Sequence, residues 1–210
     1  MTVTDIKEYN KTKYEIYVDS EFACVLYKGE LHKYGIRKEG NISDAAYNEL
    51  MEQVLPKRAK LRAMNLLTKR PYTEMKLREK LTEGMYPPVC IETAIAYVKS
   101  FGYLDDKMYA TDYISYHIEL QSAGSIEQKL MQKGIDKRLI RECMNELNSD
   151  RISENEREQI RRIFRKKYKG VVPREQGEKA KMLQYFVRKG YSMSNIKLAL
   201  EENSLDDLYN

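Results

Sequence analysis

The chain is predicted to be a mainly α-helical protein: three tandem three-helix repeats in an elongated, curved arrangement, preceded by a small extension that contains a β-hairpin. Three observations predict this. Apolar residues recur at helical spacing from Lys57 onward. A short pattern repeats along that helical part. The only β-branched and aromatic runs broken by a tight polar turn lie before residue 27.

In the extension (residues 1–56), Tyr14 to Val18 and Phe22 to Leu26 flank the polar break Asp19, Ser20, Glu21, which is a hairpin signal. Ser43 is placed to cap a helix whose apolar positions are Ala46, Tyr47, Leu50, Met51, Val54 and Leu55, and Pro56 is expected to end or bend it. The first repeat is assigned to residues 57–104, the second to 105–150 and the third to 151–210.

The repeat emerges on self-comparison. Lys80 to Tyr86, with Ile91, aligns without a gap on Lys129 to Ile135, with Ile140, and that segment aligns on Tyr185 to Tyr191, with Ile196. The shared element is a helix that stops at a glycine, an apolar residue directly after it, and a new helix soon after, starting near Pro87 and Pro88, Asp136, or Ser192. In the first copy the glycine has slipped back one place and Met85 occupies its position. Another helix lies upstream of each copy, over 61–67, 109–118 and 160–168. A three-helix unit of this size buries only a minimal core, so stacked units are expected. Between the first two, Gly102 is expected to stop a helix, Tyr103 and Leu104 to return to the core, and Asp105 or Asp106 to cap the next helix.

Composition limits the function classes. Charged residues make up 33% and hydrophobic ones 42%, with mean hydropathy −0.69, polar for one compact globule. Seventeen Tyr and four Phe argue against disorder. No apolar run approaches the roughly 18–20 residues of a membrane span, and the first ten residues are polar, so a cytoplasmic protein is expected. Cys24, Cys90 and Cys143 sit in apolar contexts without metal-ligand spacing and read as reduced core residues. The two histidines, His32 and His117, stand near no nucleophile, and no phosphate-binding glycine loop is present; His117 reads as a half-buried helix residue. No enzymatic activity, metal or cofactor is expected.

Net charge is +5, unevenly placed: −3 over residues 1–56, +6 over 57–104, −3 over 105–150 and +5 over 151–210. Two basic clusters stand out. One comprises Lys57, Arg58, Lys60, Arg62, Lys69 and Arg70; the denser one comprises Arg161, Arg162, Arg165, Lys166, Lys167 and Lys169, around Tyr168. Residues 161, 165 and 169 are spaced to share a helix face, with few local acids expected to oppose them. Either cluster suits phosphate or an acidic protein surface.

Arg58-Ala59 through Leu66-Leu67, Lys69 to Glu74, Lys76 to Leu81, Gly102 to Asp106 with Tyr109-Ala110, and Lys133-Gly134-Ile135 come one after another in an order and spacing that resembles the RecX regulators of the bacterial recombinase RecA. The resemblance spans residues 58–200 well and 12–55 loosely. It implies a monomeric, tandem three-helix-repeat protein that lies in the groove of the RecA filament on single-stranded DNA and restrains recombination and the SOS response, with weak direct DNA binding possible. Two features depart from the pattern: Met85 in place of the first-repeat glycine, and an insertion-like stretch from Lys169 to Gly177. A helical nucleic-acid-binding protein without a recombinase partner is the alternative reading.

Overall fold

Alternating short runs and tight turns build the first element of the fold, a three-stranded antiparallel meander: β1 (Val3–Asn10), β2 (Lys13–Val18) and β3 (Glu21–Tyr27). The computed structural model describes residues 1–147 and 149–206. The expected hairpin is β2–β3. Its two-residue turn, Asp19 and Ser20, has φ of +48° and +72°, the double left-handed geometry that suits the twist of paired strands. β1 was not anticipated. It joins β2 through Asn10, whose side-chain oxygen accepts hydrogen bonds from Thr12 N (3.0 Å) and Lys13 N (3.1 Å).

A short helix, α1 (Lys28–Lys33), comes after β3, and α2 (Asp44–Glu49) begins where Ser43 accepts a hydrogen bond from Ala46 N. Pro56 does not end this helix. The chain passes from α2 through a π-turn, Leu50–Val54, directly into α3 (Leu55–Leu67), with Pro56 in its first turn. A proline lacks an N–H and its ring clashes with the carbonyl four residues back. The wider turn, in which Leu55 N donates to Leu50 O, absorbs both effects.

The helices of the repeats fall as their apolar spacing indicates. The first repeat comprises α3, α4 (Glu74–Glu83) and α5 (Pro88–Ser100). The second comprises α6 (Asp106–His117), α7 (Ala123–Gln132) and α8 (Lys137–Glu146), and the third α9 (Ser149–Tyr168), α10 (Gln176–Arg188) and α11 (Met193–Asp206). Thr73, Ser122, Asp136 and Ser192 each accept a hydrogen bond from a backbone N–H of the following helix.

The chain forms two compact units, Met1–Asp105 and the remainder. In the first, the inner face of the sheet (Ile16, Cys24, Leu26) shares one core with Leu50, Leu55, Ala59, Ala63, Leu77, Leu81, Ala94 and Val98. The extension and the first repeat are therefore one hydrophobic body. The second unit has two cores, Ala110, Ile114, Ile126, Leu130, Ile140 and Cys143 in one, and Ile160, Phe164, Met182, Phe186 and Ile196 in the other. Cys24, Cys90 and Cys143 are all buried, unlinked core residues, and burial raises the Cys24 thiol to about 12 and that of Cys90 to about 11.

The repeated glycine motif is one helix stop used three times. The carbonyls of Leu81, Leu130 and Phe186 accept from the amides of Tyr86, Ile135 and Tyr191, five residues on, with a left-handed residue between. In the first copy that residue is Met85, with φ +58°. A side chain there strains the backbone by about 1 kcal/mol or more. Met85→Gly should therefore raise stability by about 0.5–1 kcal/mol, seen as a higher urea midpoint at unchanged slope.

Candidate binding surfaces

The first basic cluster is divided by helix geometry. Arg58 and Arg62, four residues apart, lie on the face of α3 toward the sheet, whereas Lys60 lies over α5. Arg58 is a structural residue. Its guanidinium donates to Val25 O at 3.2 Å, pairs with Glu30 and lies 4.7 Å from the centre of the Tyr27 ring. Glu30 in turn accepts from Tyr27 N at 2.7 Å, so β3, α1 and α3 are tied at one point. Lys57 is exposed on α3, and Lys69 and Arg70 are exposed in the loop before α4, where Arg70 lies over Tyr72 at 4.7 Å.

Lys60 opens onto a feature with little trace in the sequence. Its ammonium is 5.1 Å from the Tyr97 ring, which contacts Phe101 (4.9 Å between centroids), which stacks on Tyr103 (5.9 Å, planes 14° apart). Phe101 is 58% and Tyr103 52% exposed. Tyr103 thus does not return to the core as expected; Leu104 alone does so, 3% exposed. Gly102, at φ +69°, makes the turn between Phe101 and Tyr103. Tyr97 and Phe101, four apart, give the row its only sequence signature.

The second cluster is also rearranged. Helix α9 ends at Tyr168 and Lys169 leaves it with φ +53°, so residues 161, 165 and 169 do not form one helical row. Nor is Arg161 unopposed. Only 16% of its side chain is exposed, and it pairs with Glu154 (3.1 Å), Glu158 (2.9 Å) and Glu202 of α11. Arg157 also pairs with Glu202, at 3.3 Å, and with Glu154. The hydrogen bonds from Arg157 and Arg161 hold the Glu154 carboxyl below its usual range. These two arginines fasten α9 to α11. Arg162, Arg165, Lys166, Lys167 and Lys169 remain exposed or half-exposed, with the Lys167 ammonium 3.4 Å from the Tyr185 ring centre.

Within the second unit a buried polar joint connects the second and third repeats. Glu156, 3% exposed, accepts from Ala123 N (2.7 Å) and from Asn195 Nδ2 (2.8 Å). Gln159 donates to Ile118 O (2.9 Å) and accepts from the Tyr191 hydroxyl (3.0 Å). Ser122 Oγ donates to Lys189 O at 2.6 Å, and Gly124 N to Gly190 O at 3.2 Å. Most partners here lie at a helix N-terminus or a helix stop, the places where backbone groups lack helical partners.

His117 is half-buried, its ring stacked 4.0 Å from Tyr113 and its Nδ1 bonded to Tyr113 O; His32 is exposed on α1. Among the described residues, no three His, Cys, Asp or Glu side chains gather as a metal would require, and no helix is long and apolar enough to cross a membrane.

Comparison with known proteins places these surfaces in a family context. The profile of the RecX first three-helix domain matches residues 59–98. Regulatory protein RecX of Clostridium acetobutylicum is 30% identical over 207 residues, which cover 96% of this chain and 95% of that protein. That of Clostridioides difficile is 27% identical over 206 residues, covering 96% and 94%. A crystal structure of regulatory protein RecX shares the fold with a TM-score of 0.63 at 22% identity, covering 96% of this chain and 98% of that one. The crystal structure of RecX from Lactobacillus salivarius also reaches 0.63, at 18% identity, over 72% of this chain and 98% of that one.

Proposed function

The chain belongs to the RecX family of regulatory proteins, and from this we propose that it binds a RecA-type recombinase filament on single-stranded DNA and restrains its activity, and through it recombinational repair and the SOS response. The observation that carries this reading is a match running nearly end to end, over 96% of this chain and 95% of a regulatory protein. In this reading the protein acts as a cytoplasmic monomer, without catalysis or cofactor, by contact alone. The cations of α3 and α9 and the exposed aromatic row beside Lys60 supply contacts of mixed character, as a filament made of both protein and phosphate requires.

Substoichiometric addition of the protein should lower DNA-dependent ATP hydrolysis by RecA while the protein alone hydrolyses none. Full RecA turnover at an equimolar ratio would overturn the reading. The exposed cations at the end of α9 favour one alternative, direct nucleic-acid binding without a recombinase. That alternative requires binding to naked single strands of comparable strength to filament binding, weakening with a log–log salt slope of about −0.7 per phosphate neutralised.

A further inference from the structure

In the first unit, three elements distant in sequence converge on an open groove of about 410 Å³, within the size range of small-ligand sites. The sheet contributes Tyr9, Lys13 and Tyr27, α3 contributes Arg62, and α4 with the turn after it contributes Lys80, Glu83 and Tyr86. Lys13 and Tyr27 are cross-strand partners, and the Lys13 ammonium lies 5.3 Å from the Tyr27 ring centre. The other cation on that ring is Arg58, itself locked to Glu30. Tyr27 is thereby held as a fixed aromatic wall.

The charge of the groove is unbalanced. Lys80 is neutralised by Glu83 at 2.5 Å, but Lys13 and Arg62 have no carboxylate partner among the described residues. Two unpaired cations facing one concavity call for an anion. Tyr86 adds a hydroxyl donor: its ring is half-buried, burial raises its pKa, and its hydroxyl makes no hydrogen bond among the described residues. The position of Tyr86 depends on the glycine that slipped in the first repeat. A Cβ on Gly84 would stand 2.9 Å from Tyr86 Cε2, so the bare glycine leaves the ring its place.

We propose that this groove is a binding site for single-stranded nucleic acid, in which Lys13 and Arg62 hold a phosphodiester and the tyrosines take the adjoining base. Cations alone would suit any polyanion. Three tyrosines around them favour a ligand that carries a flat apolar face next to its charge. In a duplex that face is already stacked and paired, so the tyrosines select the single strand. The site stands apart from the recombinase reading, since it needs no protein partner.

The test uses the full chain without recombinase and a fluorescein-labelled oligothymidylate at low salt. The double substitution Lys13→Glu with Arg62→Glu should weaken binding by about tenfold or more, since it reverses two phosphate contacts. Arg62→Lys should keep most of the affinity. Should the double variant lose its helical circular dichroism, Tyr9→Ala, a change at an exposed side chain, should still weaken binding about fivefold or more. An oligonucleotide carrying 5-iododeoxyuridine should photo-cross-link to peptides containing Tyr9, Tyr27 or Tyr86. Unchanged affinity in the folded variants, or adducts only on other peptides, overturns the proposal. So does equal competition by inorganic phosphate or by a duplex of the same length. If the double variant loses inhibition of RecA yet binds the oligonucleotide normally, the groove is a protein contact and the proposal falls while the regulatory reading stands.

Discussion

Gly190→Ala should destabilise the second unit by about 3–5 kcal/mol, the largest effect expected of any single methyl group added to this chain. Two penalties act together. Gly190 has φ +86°, a conformation that strains any residue with a Cβ by about 1–2 kcal/mol. The new Cβ would also lie 2.7 Å from Ser125 N, 2.8 Å from Ser122 Oγ and 3.0 Å from Gly124 C. Two of those atoms are backbone in the first turn of α7, and the third is fixed by its hydrogen bond to Lys189 O. Relief requires the repeats to separate, which breaks the Gly124 N to Gly190 O bond and exposes the buried donors around Glu156. Gly124→Ala should act similarly, its Cβ falling 2.5 Å from Gly190 O. Gly177→Ala is the control: the nearest atom to its Cβ is 3.9 Å away, within helix α10, so a slight stabilisation is expected. Chemical unfolding monitored by circular dichroism measures all three, and a Gly190→Ala protein within about 1 kcal/mol of the parent would contradict the tight joint.

Charge reversal along α9 should separate stability from binding. Arg161→Glu places a carboxylate against Glu154, Glu158 and Glu202 and should cost about 2–4 kcal/mol in folding, because it removes a partly buried partner and leaves like charges together. Reversing Arg162, Arg165 and Lys166 to Glu, all at least partly exposed, should leave the melting temperature within a few degrees and weaken filament or single-strand binding by about tenfold or more. Melting curves and anisotropy on the same two proteins give the answer. A stable Arg161→Glu variant with lost binding would return Arg161 to the contact surface.

The helices of the repeats are legible in the sequence because each combines a cap residue, an apolar stripe and a stop whose chemistry is local; Ser122, Asp136 and Ser192 act in the structure as such residues do in any sequence. Strand β1 is not legible. Only Val3 of its side chains is buried, and it is held by backbone pairing that leaves no apolar alternation. Arg161 is deceptive for a related reason. Glu154 and Glu158 are visible on the same helix, but Glu202 reaches it from α11, and only that third acid turns a surface arginine into a fastening. Glu156, Gln159 and Asn195 look like solvated helix positions because their partners are backbone groups of other helices and side chains far along the chain. The tyrosine groove draws on three elements, and no one of them carries a motif.

The π-turn at Leu50–Val54 governs how the chain tolerates changes in length. The buried positions Leu50, Leu55, Ala59, Ala63 and Leu66 step by four or three residues except once, where five separate Leu50 from Leu55. The wide turn takes up that one spare residue, so the buried face runs on in line through two halves of a continuous rod. Removing one residue there, such as the exposed Gln53, would close the wide turn to ordinary α-helical spacing and leave Leu50 four residues before the next buried position, so both halves would keep their faces. What the deletion would take away is the room for Pro56, whose ring would then meet the carbonyl four residues back. A residue inserted there would have no wide turn left to absorb it and would turn the halves by about 100°, so at this joint a lost residue strains one proline, whereas a gained one turns the extension away from the first repeat.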